Sequence, residues 1–95
     1  MSASLVDANQ PAITKELRAM GYSVMLTHEL GKGRPDMVVG ASWTNLLVEL
    51  KIPGREARLT PDEVTFHATW RGPCMVASSS DQIHERMLSL LPDRQ

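Results

Sequence analysis

Asp36-Met37-Val38-Val39-Gly40-Ala41-Ser42-Trp43-Thr44-Asn45-Leu46-Leu47-Val48-Glu49-Leu50-Lys51 is the stretch whose reading decides the fold. Two apolar runs flank the turn-forming residues Ala41 to Thr44, which predicts a hairpin over Asp36–Gly40 and Asn45–Ile52. Side chains in a strand alternate faces, so Glu49 and Lys51 point one way and Leu50 the other. The loop length then sets the chemistry. With Gly40 paired to Asn45, Asp36 falls opposite Glu49; with Asn45 taken into the loop, Asp36 falls opposite Leu50 and the two acids part. A four-residue loop, or a bulge that restores parity, brings two carboxylates and one ammonium to a single sheet edge. That donor set suits a hard divalent cation such as Mg2+. Glu and Lys are poor strand residues, yet here they interrupt an apolar run.

Outward from the hairpin, Tyr22 to His28 alternates Tyr22, Val24 and Leu26 against Ser23, Met25 and Thr27, the pattern of a strand. Before it, about Gln10 to Met20 reads as a helix with Ile13, Leu17 and Met20 on one apolar face. Asp7 or Asn9 can cap its start, Pro11 suits its first turn and Gly21 its end. After the hairpin, Thr60-Pro61-Asp62-Glu63 combines a capping box, a proline at the first helical position and acids in the first turn. That helix should run to about Arg71 and stop at Gly72-Pro73. Met75-Val76-Ala77 reads as a short buried strand. Ser79 to Gln82 opens a last helix carrying Ile83, Met87 and Leu90 on one face, ended by Pro92. The order is helix, three strands, helix, strand, helix, most economically one mixed α/β sheet flanked by helices.

Ninety-five residues make a single domain spanning 1–95, and 42% hydrophobic with 22% charged residues is ordinary for a soluble globular chain. The start, Met1-Ser2-Ala3-Ser4-Leu5-Val6-Asp7, lacks the basic and long apolar segments of a signal peptide or membrane span. A lone Cys74 forms no internal disulfide and fits a reducing cytoplasm; its plain reading is a small strand residue. The net charge of −1 gives no overall nucleic-acid signal. Between residues 32 and 58, however, Lys32, Arg34, Lys51, Arg55 and Arg58 face only Asp36, Glu49 and Glu56. This local excess attracts phosphate, the more so with a cation on the two acids. The glycines around Lys32 lack the Gly-Lys-Ser/Thr ending of a phosphate-binding loop, so no nucleotide cofactor is expected.

Asp7-Ala8-Asn9-Gln10, Gly31-Lys32-Gly33-Arg34-Pro35-Asp36, Glu49-Leu50-Lys51 and Leu59-Thr60-Pro61-Asp62-Glu63, with Trp70-Arg71-Gly72 beyond them, form a pattern that spans nearly the whole chain. It resembles the PD-(D/E)xK nuclease superfamily, which shares a restriction-endonuclease-like core. Within it the chain looks most like small phage and bacterial proteins of the virus-type replication-repair nuclease (VRR-NUC) and Holliday junction resolvase kind. The resemblance implies a Mg2+- or Mn2+-dependent deoxyribonuclease in a bacterial or phage-infected cytoplasm. It implies that Asp36, Glu49 and the main-chain carbonyl of Leu50 hold the metal, with Lys51 beside the attacking water. The superfamily often places an acid in the first helix, and here that position is Gln10, which heads the stripe of Ile13, Leu17 and Met20. Glu16 lies roughly 100° off that stripe. Gln10 can hold a metal-bound water or contact DNA, and as a weaker ligand than Glu it favours a single tightly held ion.

Lys32 and Arg34, before the metal site, and Arg55 and Arg58, after it, are the candidate DNA-binding cations. His28, His67 and His84 form no metal-ligand spacing and read as structural; His67 with Phe66 and Trp70 should pack a helix over the sheet. Trp43, at the hairpin tip, either stacks on a base, anchors a partner or is partly buried. Two functions follow. One is a structure-selective endonuclease acting on branched or junction DNA, a homodimer whose two sites match the junction's symmetry. The exposed side of the last helix or the first strand are both candidate interfaces. The other, favoured by Gln10, is a non-catalytic nucleic-acid-binding or assembly module.

Overall fold

The hairpin predicted at residues 36–52 forms with the parity that the site needs. In the computed structural model, which describes residues 5 to 93 (for 5 to 8 the backbone only), strand β2 (Met37–Ala41) pairs antiparallel with β3 (Thr44–Leu50). Gly40 faces Asn45 and Met37 faces Val48, so Asp36 meets Glu49 one step beyond the ladder. The turn is tighter than expected, because Ala41 also pairs with Thr44 and only Ser42 and Trp43 remain outside. Parity is unchanged, since the loop shrinks by one residue on each side.

Strand β1 (Ser23–Leu26) adds antiparallel to β2, and β4 (Cys74–Ala77) adds parallel to β3, giving a four-stranded mixed sheet in the order β1-β2-β3-β4. Parallel neighbours need a crossover, supplied by helix α2 (Pro61–Thr69). Helices α1 (Leu5–Ala19) and α3 (Ser80–Ser89) complete the fold. The molecule is thus a mixed α/β structure with three α-helices among the described residues, plus a 3-10 turn over His28–Leu30 that begins on the last residue of the expected strand.

The two faces of the sheet differ. Ile13 and Leu17 of α1, Ile83 and Met87 of α3, and Met37, Val39, Leu46, Val48, Leu50 and Ala77 of the sheet join Tyr22 in one buried cluster. On the other face, Val38 and Leu47 are only partly buried, and α2 contributes no buried residue. Asp36, Glu49 and Lys51 share the parity of Val38 and Leu47, so the chemistry lies on the less covered face.

Several expectations are corrected. Helix α1 begins at Leu5, more than a turn before the expected start, so Pro11 lies in its interior and neither Asp7 nor Asn9 is its cap. The Asp7 side chain lies outside the described residues. Met20 falls beyond the last helical turn and is 40% exposed, so only Ile13 and Leu17 of the proposed stripe reach the core. Helix α2 ends at Thr69 with Trp70 as its cap, short of Arg71. Trp43 is not an exposed tip: its Nε1 donates to the Met87 carbonyl at 2.9 Å and its ring meets Tyr22 edge-on, tying the hairpin to α3. Burying the indole with its N–H satisfied outweighs leaving it in water. Among the described residues no helix is long and apolar enough to cross a membrane.

Candidate metal and phosphate site

Asp36 stands where the glycine loop enters β2. Its main-chain carbonyl accepts from Thr27 N–H at 2.8 Å and its N–H donates to Val48 at 2.9 Å, fixing it between two strands. Its Oδ2 accepts the Leu50 N–H at 2.7 Å, so the carboxylate is anchored to the backbone between Glu49 and Lys51. Sequence placed these acids together by parity alone; this hydrogen bond is what clamps the two chain segments.

Glu49 is only 5% exposed and its Oε1 is buried with no hydrogen-bond partner. Burial first, then the neighbouring charges of Asp36 and Glu63 and hydrogen bonds with both, push its carboxyl up to about 9. With nothing bound, Glu49 therefore carries a proton at neutral pH. An isolated carboxylate is costly in such a place, and the usual remedies are a proton, a paired cation or a metal ion. The donor set fits a hard divalent cation: two converging carboxylates, one with a free buried oxygen. No group of three or more His, Cys, Asp or Glu side chains poised for a metal occurs among the described residues. A cation here would rest on Asp36, Glu49, a main-chain oxygen such as that of Leu50, and water.

Lys51 Nζ lies 3.8 Å from Glu49 Oε2 but only 2.8 Å from Glu63 Oε1. Glu63 is the acid that sequence reading missed as a site residue. It was visible as the last residue of the capping box, and the box forms: Thr60 Oγ1 accepts Glu63 N–H at 3.2 Å and Glu63 Oε1 accepts Thr60 N–H at 2.9 Å. The same Oε1 takes the Lys51 ammonium. Burial opposes its charge, but the hydrogen bonds from Lys51 and Thr60 outweigh that and hold the Glu63 carboxyl below its usual range. One carboxylate thus starts α2 and orients Lys51. Glu63→Ala is expected to lower stability by about 1 kcal/mol through the lost cap and to release Lys51. Thermal melts together with the Lys51 ζ-ammonium NMR signal check both parts.

The loop before Asp36 is packed against the same helix. Gly33 has φ +77, and a Cβ there would stand 2.4 Å from the Asp62 carbonyl carbon. The close approach sets the glycine loop onto the first turn of α2, beside Glu63. Gly33→Ala is expected to cost about 2 kcal/mol or more, since both the left-handed backbone and the contact oppose a methyl group. A fall in melting temperature of roughly 10 °C would register it.

Of the other predicted site residues, Gln10 is buried but its Nε2 lies 3.5 Å from His28 Nδ1. Among the described residues it makes no hydrogen bond to Asp36, Glu49 or Lys51. His28 follows Thr27, the residue bonded to Asp36, so Gln10 borders the site through His28. Glu16 is exposed and accepts from Ser80 Oγ at 2.9 Å, joining α1 to α3. Lys32, Arg34, Arg55 and Arg58 are all exposed, the first pair in the glycine loop and the second in the segment after β3. Glu56 in that segment accepts from Ser78 Oγ at 2.7 Å, which ties it to the start of α3. His84 shares a hydrogen bond with Tyr22 Oη at 2.7 Å, a structural role as expected. Comparison of the chain with protein-family models, with curated proteins and with solved structures finds no match.

Proposed function

We propose that this protein is a metal-dependent endonuclease of the PD-(D/E)xK kind, with a restriction-endonuclease-like core, cutting DNA phosphodiester bonds. The observation that carries the reading is Glu49: a buried carboxyl with a partnerless oxygen, held beside Asp36 and within 3.8 Å of the Lys51 ammonium. A protein has little reason to bury such a group unless something positive binds it. Asp36, Glu49 and the Leu50 carbonyl would hold Mg2+ or Mn2+, which supplies Lewis acidity toward the phosphate and acidifies a water.

The chain's own residues do the rest. Lys51 Nζ, steered by Glu63, donates to the attacking water or to a non-bridging phosphate oxygen and stabilises the charge that builds there. A bond forms between the water oxygen and phosphorus as the water gives up a proton to solvent, and the bond to the leaving sugar oxygen breaks as that oxygen takes a proton from solvent. Lys32 and Arg34 precede the trio in the chain and Arg55 and Arg58 follow it, exposed loop cations suited to following a phosphate backbone. Contacts of this type read shape more than sequence, which favours branched or junction DNA as substrate and a homodimer as the working form.

One observation favours the second reading, a binding or assembly module without catalysis: Lys51 lies closer to Glu63 than to Glu49. Nicking of a labelled four-way junction by purified protein in Mg2+, with Glu49→Ala alongside, separates the two. Cutting by the parent alone supports the enzyme. Equal binding with no cutting by either supports the module.

A further inference from the structure

Besides the trio, the less covered face of the sheet holds an apolar groove of about 240 Å³. Val38 and Leu47 form its floor, Leu30 and Pro35 one side, and Phe66 and Trp70 the other. Val38 lies two residues after Asp36 and Leu47 two before Glu49, so the floor begins about 7 Å along the strands from the carboxylates. Phe66 and Trp70 stack with centroids 5.3 Å apart and planes at 13°, and Trp70 is still 48% exposed. A large aromatic left half in water beside an apolar floor is an expensive surface to leave uncovered.

Charge around the mouth narrows the ligand. Arg34 lines the groove, exposed Lys32 precedes it in the same loop, and exposed Arg71 follows Trp70. These three cations outnumber the exposed acids Glu29 and Asp62 on the bordering segments. The combination is an aromatic wall, an apolar floor and a cationic rim next to a phosphate-cutting site. We infer that the groove receives an unstacked base of single-stranded or splayed DNA, laid against Trp70 while Arg34 meets its phosphate. The inference rests on the nuclease reading in taking DNA as the ligand. It narrows the substrate to DNA with unpaired nucleotides near the scissile bond, because a base inside a continuous duplex cannot enter the groove.

The test uses a single-stranded oligonucleotide of about ten nucleotides carrying 2-aminopurine, and a duplex of the same length, in Ca2+. On binding the single strand, the parent should quench the 2-aminopurine by stacking. Trp70→Ala should remove the quenching and weaken the single strand roughly 5- to 150-fold, more than it weakens the duplex. Trp70→Phe should keep both. Leu30→Glu, on a different element and 61% exposed, should also weaken the single strand, which covers a failure of the α2 variant to fold. Unchanged quenching in Trp70→Ala, or equal losses for single strand and duplex, overturns the inference. So does conversion of a dimer to monomer by Leu30→Glu, which would make the face a contact between two copies of the chain. Cutting of a labelled four-way junction in Mg2+ by the parent is followed in parallel. Quenching without cutting sinks the nuclease reading and leaves the groove; cutting without quenching does the reverse.

Discussion

Glu49→Gln is expected to lower Mg2+-dependent cutting by at least about 10³-fold while DNA affinity measured without cutting stays within roughly threefold. The amide keeps the shape of the carboxyl and, like the protonated acid, carries no charge, so the packing around residue 49 survives. What it cannot supply is a negative oxygen to a cation. The same substitution has a signature in the metal-free protein that does not depend on activity. The folded carboxyl titrates at about 9 against 4.5 for an ordinary Glu. Between these values the folded state holds a proton that the unfolded state has released, so the contribution of Glu49 to stability is greatest below pH 4.5 and falls as pH rises toward 9. Glu49→Gln removes that dependence, and the variant should overtake the parent in melting temperature on the alkaline side. Adding Mg2+ should flatten the parent's curve as well, because a bound cation replaces the proton. A melt series across pH 5–9 in EDTA and in Mg2+ reads all of this. A parent whose stability does not decline on the alkaline side in EDTA would mean that Glu49 is already ionised and paired, removing the argument for a cation site.

How much of this was legible in the sequence varies with the range of the forces involved. Local chemistry was readable: the Thr60–Glu63 capping box, Gly21 after the first helix and Pro73 before the last strand act within a few residues of themselves. Strand parity was readable only down to two registers of one hairpin, because one residue more in the loop would flip the faces; Gly40 opposite Asn45 settles the choice. Features set by distant neighbours were not. Nothing near Trp43 announces that Met87, forty-four residues on, offers a carbonyl to its indole N–H. Met20 continues the apolar stripe on a helical wheel but lies past the point where the chain turns toward β1. Glu63 shows why the site was only partly visible. One oxygen accepts both the cap N–H and the Lys51 ammonium, and a short motif with a sufficient local explanation hides a second, long-range role. Gln10 is buried at the head of its helix stripe, and its contact with His28, set by how α1 lies against the sheet, is one that no local pattern announces.

Leu46→Ala and Leu47→Ala, adjacent residues on the central strand β3, should separate the two faces of the sheet. Leu46 is fully buried between the sheet and helices α1 and α3, and its truncation is expected to cost about 2–5 kcal/mol. For a domain of this length that is roughly 10–30 °C in melting temperature, and a large share of a typical total stability. Leu47 points the opposite way onto the groove floor, where it is only partly buried and α2 buries no side chain of its own. Its truncation removes less contact and opens no closed cavity, so the loss should stay below about 2 kcal/mol. The contrast follows from where the apolar side chains went. Both helices with buried stripes lie on one face and carry the stability, while the other face keeps carboxylates, an ammonium and an open aromatic wall that a dry core could not hold without penalty. Equal losses for the two variants would mean that α2 seals its face as α1 and α3 seal theirs. The trio would then lie beneath a closed layer, beyond the reach of a phosphate backbone.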